Sequence, residues 1–157
     1  AFDHRWRPAD ADEICKMCSC LEGTATGGDL KRGAGGIVDI EFLVQMYQLK
    51  HARGSPEVRQ PNTLLALDAL RAAGHLCAED YEFFRRSYRL LRTIEGRLRL
   101  MNSTARDQLP DDPTELAKLA HLLNYPSSRA LLADYEDATR QIRRRFERLF
   151  DAAGPTD

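Results

Sequence analysis

Apolar residues recur every three to four positions through most of the chain, and no segment of four to eight residues alternates apolar with polar as a half-buried strand does. The pattern predicts an all-α fold, an antiparallel helical bundle of about six helices. The first stretch, roughly Asp10 to Leu21, has Asp10 or Asp12 as its cap and is polar for most of its length, so it is expected to pack on something beyond the bundle. The second, Val38 to Ala52, spreads Ile40, Phe42, Leu43, Val44, Met46, Tyr47 and Leu49 over about 220° of arc, wider than a surface helix needs. It is predicted to be the central, most buried helix.

The third helix runs from Asn62 or Thr63 to Ala73 and stops at Gly74, a residue that accepts the left-handed conformation of helix ends. The fourth, about Ala78 to Met101, carries Phe84, Tyr88, Leu91, Ile94, Leu98 and Met101 on one face. Asp112 as N-cap, Pro113 at the first position and Glu115 at N3 open a fifth helix that continues to about Asn124. The sixth begins near Ser127 and repeats Leu131, Tyr135, Ala138, Ile142, Phe146 and Leu149 at close to heptad spacing, to about Phe150. Residues 1–36 thus read as a linker helix and Gly-rich junction, 37–151 as the bundle and 152–157 as a frayed tail.

Composition narrows the function. The 157 residues suffice for one domain with its own core, and 43% hydrophobic with 30% charged residues is an ordinary globular balance. Lys and Arg number 23 against 24 Asp and Glu, so no overall field exists to hold nucleic acid or an acidic membrane; any phosphate contact must be local. No apolar run approaches the ~18 residues of a membrane span, and Ala1 to Pro8 is too polar for a signal peptide, so the chain reads as cytoplasmic. Cys15, Cys18, Cys20 and Cys77 lack the second Cys or His pair that would complete a zinc set and read as reduced thiols.

The sharpest anomaly is the loop between Gly23 and Gly36, which holds six of the ten glycines. Its Lys31, Arg32, Gly35 and Gly36 join two cations and flexible backbone to a helix start, the ingredients of an anion site, although a purely structural turn has the same composition. It is not a phosphate-binding Walker loop, because Asp29 stands where the lysine must be. Asp39 falls inside the apolar arc of the second helix and needs a partner: either it caps the Gly35 and Gly36 amides, or it contacts a catalytic metal or nucleotide. Glu41 points about 160° away and joins Gln45 and Gln48 in a polar stripe, so the two acids do not clasp one metal.

On the fourth helix Glu95 lies in the apolar face with Arg85, Arg92 and Arg99 along its border, a pattern that predicts a structural ion pair. The arginines from Arg140 to Arg145 read as a solvated face. Asp10-Ala11-Asp12 has the spacing of a two-metal acidic motif but opens a helix and follows no strand, so it is set aside.

The run Lys31-Arg32-Gly33-Ala34-Gly35-Gly36-Ile37-Val38-Asp39-Ile40-Glu41-Phe42-Leu43-Val44-Gln45 resembles the junction motif of glutamine synthetase adenylyltransferases. The resemblance extends through Asn62-Thr63-Leu64, Tyr88 to Leu98, Gln108-Leu109-Pro110 and Phe146 to Phe150, nearly the whole chain. It implies a helical domain that follows a nucleotidyltransferase domain and closes one side of its active site, with Lys31, Arg32, Gly35, Gly36 and Asp39 near the nucleotide and Glu41, Gln45, Arg92 and Glu95 supporting the junction. It further implies transfer of AMP from ATP, with Mg2+, to a tyrosine of glutamine synthetase, or its removal, under control of the PII signalling protein and glutamine. The catalytic acids would lie in the preceding domain, so this chain alone is expected to be inactive and to require no cofactor.

Lys31-Arg32-Gly33 resembles the removing half of such enzymes, whereas Gly36 to Phe42 and an end soon after Phe150 resemble the carboxy-terminal, adenylylating half, which is the better fit. Ala105-Arg106-Asp107 departs from the Thr-His pair of many relatives, so no role transfers to that loop. The alternatives are the helical domain of a PII uridylyltransferase and a non-catalytic helical interaction module.

Overall fold

The computed structural model describes residues 6–25, 27–101 and 107–153. Six helices form: α1 Pro8–Glu22, α2 Ile37–His51, α3 Thr63–Ala72, α4 Ala78–Met101, α5 Pro113–Leu122 and α6 Ser128–Asp151. Among the described residues the only β pairing is one antiparallel bridge between Asp29 and Gln108, so the all-α reading stands.

The breadth of its apolar arc puts α2 in the middle, where it packs against α1, α3, α4 and α6. Ile37, Ile40, Leu43 and Met46 are fully enclosed, while Phe42 and Leu49, at one edge of the arc, and Tyr47, in the last turns of the helix, are half-buried. Phe84, Leu91, Ile94 and Leu98 of α4 and Leu131, Ile142 and Phe146 of α6 complete one continuous core. That core includes Ala11, Ile14 and Cys18 of α1 and Leu30 of the junction loop, so the linker helix packs on the bundle itself. Met17 and Leu21 of α1 stay exposed.

The predicted caps largely hold. Asn62 accepts from the Leu64 and Leu65 amides, Asp112 from Glu115 and Ser127 from Ala130. Gly74 closes α3 at φ +78°, and Asn124, the expected end of α5, lies beyond that helix at φ +59°. α1 starts two residues before its expected first cap, because Pro8 takes the first turn and Arg7 is the N-cap; Asp10 is the third helical residue and accepts from the Arg7 amide at 2.7 Å. Ala153, assigned to a frayed tail, is buried, its amide donating to the Phe150 carbonyl at 3.0 Å. Residues 154–157 and Ala105-Arg106 lie outside the described residues.

One turn escapes the periodicity, a 3-10 helix at Pro56–Val58. Gln48 explains it: buried on α2, its Nε2 donates to the carbonyls of Val58 at 2.8 Å and Gln60 at 2.7 Å, so a side chain of the central helix ties down the loop.

At the end of α2 the His51 ring stacks on His75 with centroids 3.8 Å apart, and Ser55 hydrogen-bonds His75 Nε2 at 2.8 Å. Burial, then the neighbouring His75 and Lys50, push His51 down to about 4. The unfolded chain therefore binds a proton at His51 between about pH 6.5 and 4 that the folded chain refuses, and stability falls as pH drops through that window. We expect the urea midpoint to drop from pH 7 to pH 5, and His51→Phe, which keeps a stacking ring without a titrating group, to flatten that difference. An equal drop in both proteins would place the titrating group elsewhere.

Candidate functional site

The junction loop is built by its own hydrogen bonds. Asp29 Oδ1 accepts from the Lys31 amide at 2.9 Å and the Arg32 amide at 2.8 Å, turning the chain at the two cations. Gly36 donates to the Gly33 carbonyl, Ile37 to Leu30 and Val38 to Lys31, at 2.8, 3.0 and 3.0 Å. The amides that open α2 are thus spent within the loop. What the loop offers an external anion is the side-chain charge of Lys31, half-buried, and Arg32, exposed; neither makes an ion pair among the described residues.

Asp39 is buried and takes the capping role, with one change from expectation. Its Oδ2 accepts from Gly35 at 2.8 Å, but not from Gly36, whose amide is satisfied by Gly33. Cys18 of α1 donates its thiol to Oδ1 at 3.1 Å, and Arg143 of α6 lies 3.5 Å from Oδ2. Burial, then the Asp39 charge, raises the Cys18 thiol far above its ordinary range, so it stays protonated and serves as a donor. With Asp39 occupied in this way, these residues do not form a magnesium site, and among the described residues no group of three His, Cys, Asp or Glu is arranged to hold a metal.

The two glycines serve close packing. A Cβ on Gly35, at φ +73°, would lie 1.8 Å from the Thr139 carbonyl oxygen of α6; one on Gly36 would lie 2.8 Å from the Gly33 and Lys31 carbonyl oxygens. Arg143 reinforces that approach by pairing with Glu22 at 3.0 Å as well as with Asp39. The solvated-face reading of Arg140 to Arg145 therefore fails at two positions: Arg143 and Arg145 are half-buried, and Arg145, with Arg148, binds the buried Asp80 of α4. Burial acts to raise Asp80, but Cys77, Arg145 and Arg148 overcome it and hold its carboxyl below the usual range.

Glu41 faces away from Asp39, as the helical wheel requires. Its Oε1 accepts from Tyr88 at 3.0 Å and lies 3.4 Å from Arg92. Arg92 continues to Glu95 at 2.8 Å, and Arg99 binds the other Glu95 oxygen at 2.8 Å, so the predicted ion pair is a buried acid shared by two arginines. Arg85, the third candidate, pairs instead with Asp68. Beside this network Glu41, Gln45 and Gln48 line a cleft of about 480 Å³ between α2 and the Arg59–Thr63 segment. The named residues therefore fall into two groups: Lys31, Arg32, Gly35, Gly36 and Asp39 at the start of α2, and Glu41, Gln45, Arg92 and Glu95 on its α4 side.

Sequence reasoning missed Cys18, Asp80 and Arg143. The spacing of Asp80 from Phe84, on the buried face of α4, was the available signal; the pairing of Arg143 with Asp39 spans 104 positions and leaves no local mark.

Residues 22–150 match the family model described as GlnD PII-uridylyltransferase. Among curated proteins, the chain is 39% identical over 127 residues to the bifunctional glutamine synthetase adenylyltransferase/adenylyl-removing enzyme of Caulobacter vibrioides, covering 81% of this chain and 13% of that protein. The enzyme of the same name from Stenotrophomonas maltophilia is 42% identical over 105 residues, covering 67% and 11%. That of Bradyrhizobium diazoefficiens is 32% identical over 152 residues, covering 94% and 15%. The chain thus spans about one seventh of the length of these relatives or less.

Gly35→Ala should cost well over 3 kcal/mol or prevent folding, since main chain must move, whereas Gly74→Ala, with φ +78° but nothing within 4 Å, should cost only about 1–2 kcal/mol. Denaturant unfolding of the two variants side by side measures the difference, and similar losses would show that conformation, not contact, requires glycine at position 35.

Proposed function

The chain belongs to the GlnD PII-uridylyltransferase family of the matching model, and on that premise we propose that it is the helical domain of an enzyme that moves AMP between ATP and a tyrosine of glutamine synthetase. The observation that carries this reading is the Lys31 to Gln45 run, whose cations are held at the loop surface by Asp29 while Gly35 and Asp39 lock the loop to α1 and α6. A preceding nucleotidyltransferase domain would supply the acids that hold Mg2+, and Lys31 and Arg32 would meet the phosphates of ATP or pyrophosphate across the domain boundary. Gly35, Gly36 and Asp39 would then act by fixing where the two cations point. Glu41, Gln45 and Arg92 would present a polar face to the neighbouring domain, with the buried Glu95 holding Arg92 in place behind it.

Within this reading the adenylylating half is favoured, with the PII signalling protein as a regulatory partner and the cytoplasm as the compartment. The names of the relatives support the adenylyltransferase; the description of the family model favours a second reading, the helical domain of a PII uridylyltransferase. Adenylyl transfer to glutamine synthetase, against uridylyl transfer to PII, by the intact enzyme decides between them.

In the intact enzyme Lys31→Ala should lower transfer activity about tenfold or more, the scale of one charge-assisted contact of roughly 1.5–3 kcal/mol, with the fold unchanged. The purified 157-residue chain should incorporate no label from ATP into glutamine synthetase. Unchanged kinetics in a folded Lys31→Ala enzyme would reduce the junction to a structural turn, and incorporation by the chain alone would overturn the division of labour.

A further inference from the structure

The six arginines of α4 divide into those the fold uses and those it does not. Arg85, Arg92 and Arg99 recur every seven residues along the border of the buried face and pair with Asp68, with Glu41 and Glu95, and with Glu95. Arg86, Arg89 and Arg97 are exposed and make no ion pair among the described residues. Asp134 and Asp137, which line a groove with Arg86, are held by Tyr125, Arg140 and Gln141. A chain whose net charge is only −1 thus turns three unpaired cations outward from a single helix.

Two further features share that side. At 100° per residue, Arg86, Arg89, Thr93, Gly96, Arg97 and Leu100 fall within about 100° of arc, turned away from the buried Leu91, Ile94 and Leu98. Leu100 is 76% exposed, the most open large hydrophobic among the described residues. Gly96 stands inside the helix, where glycine is a poor former, and a Cβ on it would meet nothing within 4 Å, so no neighbour in the chain requires it. On an exposed face, a missing side chain lets the main chain of another molecule approach closely.

The face also ends near the junction. Six residues beyond Met101 the Asp107 carbonyl accepts from Leu30, and the Gly28 carbonyl accepts from Leu109. The last turn of α4 therefore lies within about 25 Å of the loop that carries Lys31 and Arg32.

We propose that this face of α4 docks the protein that receives the AMP, against an acidic stretch of its surface that crosses α4 at Gly96. The inference rests on the reading above and adds a contact to it. Transfer to a tyrosine of a whole protein needs a docking surface outside the nucleotide site, and unpaired arginines with no acid to neutralise them select an acidic one.

The test uses the intact enzyme with glutamine synthetase as the varied substrate. Arg89→Glu combined with Arg97→Glu should raise KM for glutamine synthetase at least about tenfold, most strongly at low salt, while kcat and KM for ATP hold. Gly96→Gln should leave the urea midpoint of the 157-residue chain unchanged or higher, since the new side chain meets no neighbour, and yet raise the same KM severalfold. An unchanged KM for glutamine synthetase in either protein would overturn the proposal. A parallel rise in KM for ATP, or a fall in kcat, would overturn it too, by marking the face as the seat of a neighbouring domain. Each of these results leaves the reading above intact, because the wild-type enzyme still adenylylates glutamine synthetase; a wild type that does not would remove both.

Discussion

Three carboxylates inside the bundle must be met by arginine, and the arrangement of the helices follows from how that need is satisfied. Asp39, Asp80 and Glu95 are each at least 96% buried. An ionised group so placed costs several kcal/mol unless a cation and hydrogen bonds reach it, and removing one partner of such a pair typically costs about 3–5 kcal/mol. Glu95 is satisfied within its own helix by Arg92 and Arg99, at three and four residues' distance. Asp39 and Asp80 lie on different helices and draw their cations from a third, α6, through Arg143 and through Arg145 and Arg148. One helix thus ties the junction at one place and α4 at another, with a directionality that apolar packing lacks.

Much of this architecture was legible because it is local. The wide arc of α2, the single faces of α4 and α6 and the caps at Asn62, Asp112 and Ser127 all follow from residues within a few positions of each other. Glu95 and its arginines were legible for the same reason. The 3-10 turn at Pro56–Val58 was not, because it depends on Gln48, eight residues before its first residue and on another element. The pairing of the Asp29 loop with Gln108 was equally hidden: the amides of Leu30 and Leu109 exchange bonds with Asp107 and Gly28 across almost eighty residues, with no strand pattern on either side.

At the candidate site the sequence and the structure divide the same residues differently. Two cations, glycines and a helix start suggested an anion cradle of backbone donors, yet the amides of Gly35 to Val38 are all engaged inside the molecule. Composition counts donors but cannot say which are already spent. The cations survive this subtraction, and Asp39 turns out to be an anchor of the loop, occupied by a thiol, an amide and a guanidinium. The polar stripe on α2 changes meaning in the same way: Gln48, one of its members, is the residue that organises the cleft wall.

The contact between Gly35 and Thr139 sets main chain directly against main chain. Side chains can rotate to absorb a small displacement of a helix; a carbonyl oxygen facing a bare α-carbon has no such freedom. At that point the junction has no slack relative to α6, so a shift of α6 toward it would be passed on as movement of the loop that carries Lys31 and Arg32. In mechanical terms the bundle acts on its cationic loop as a stop against which the loop is seated.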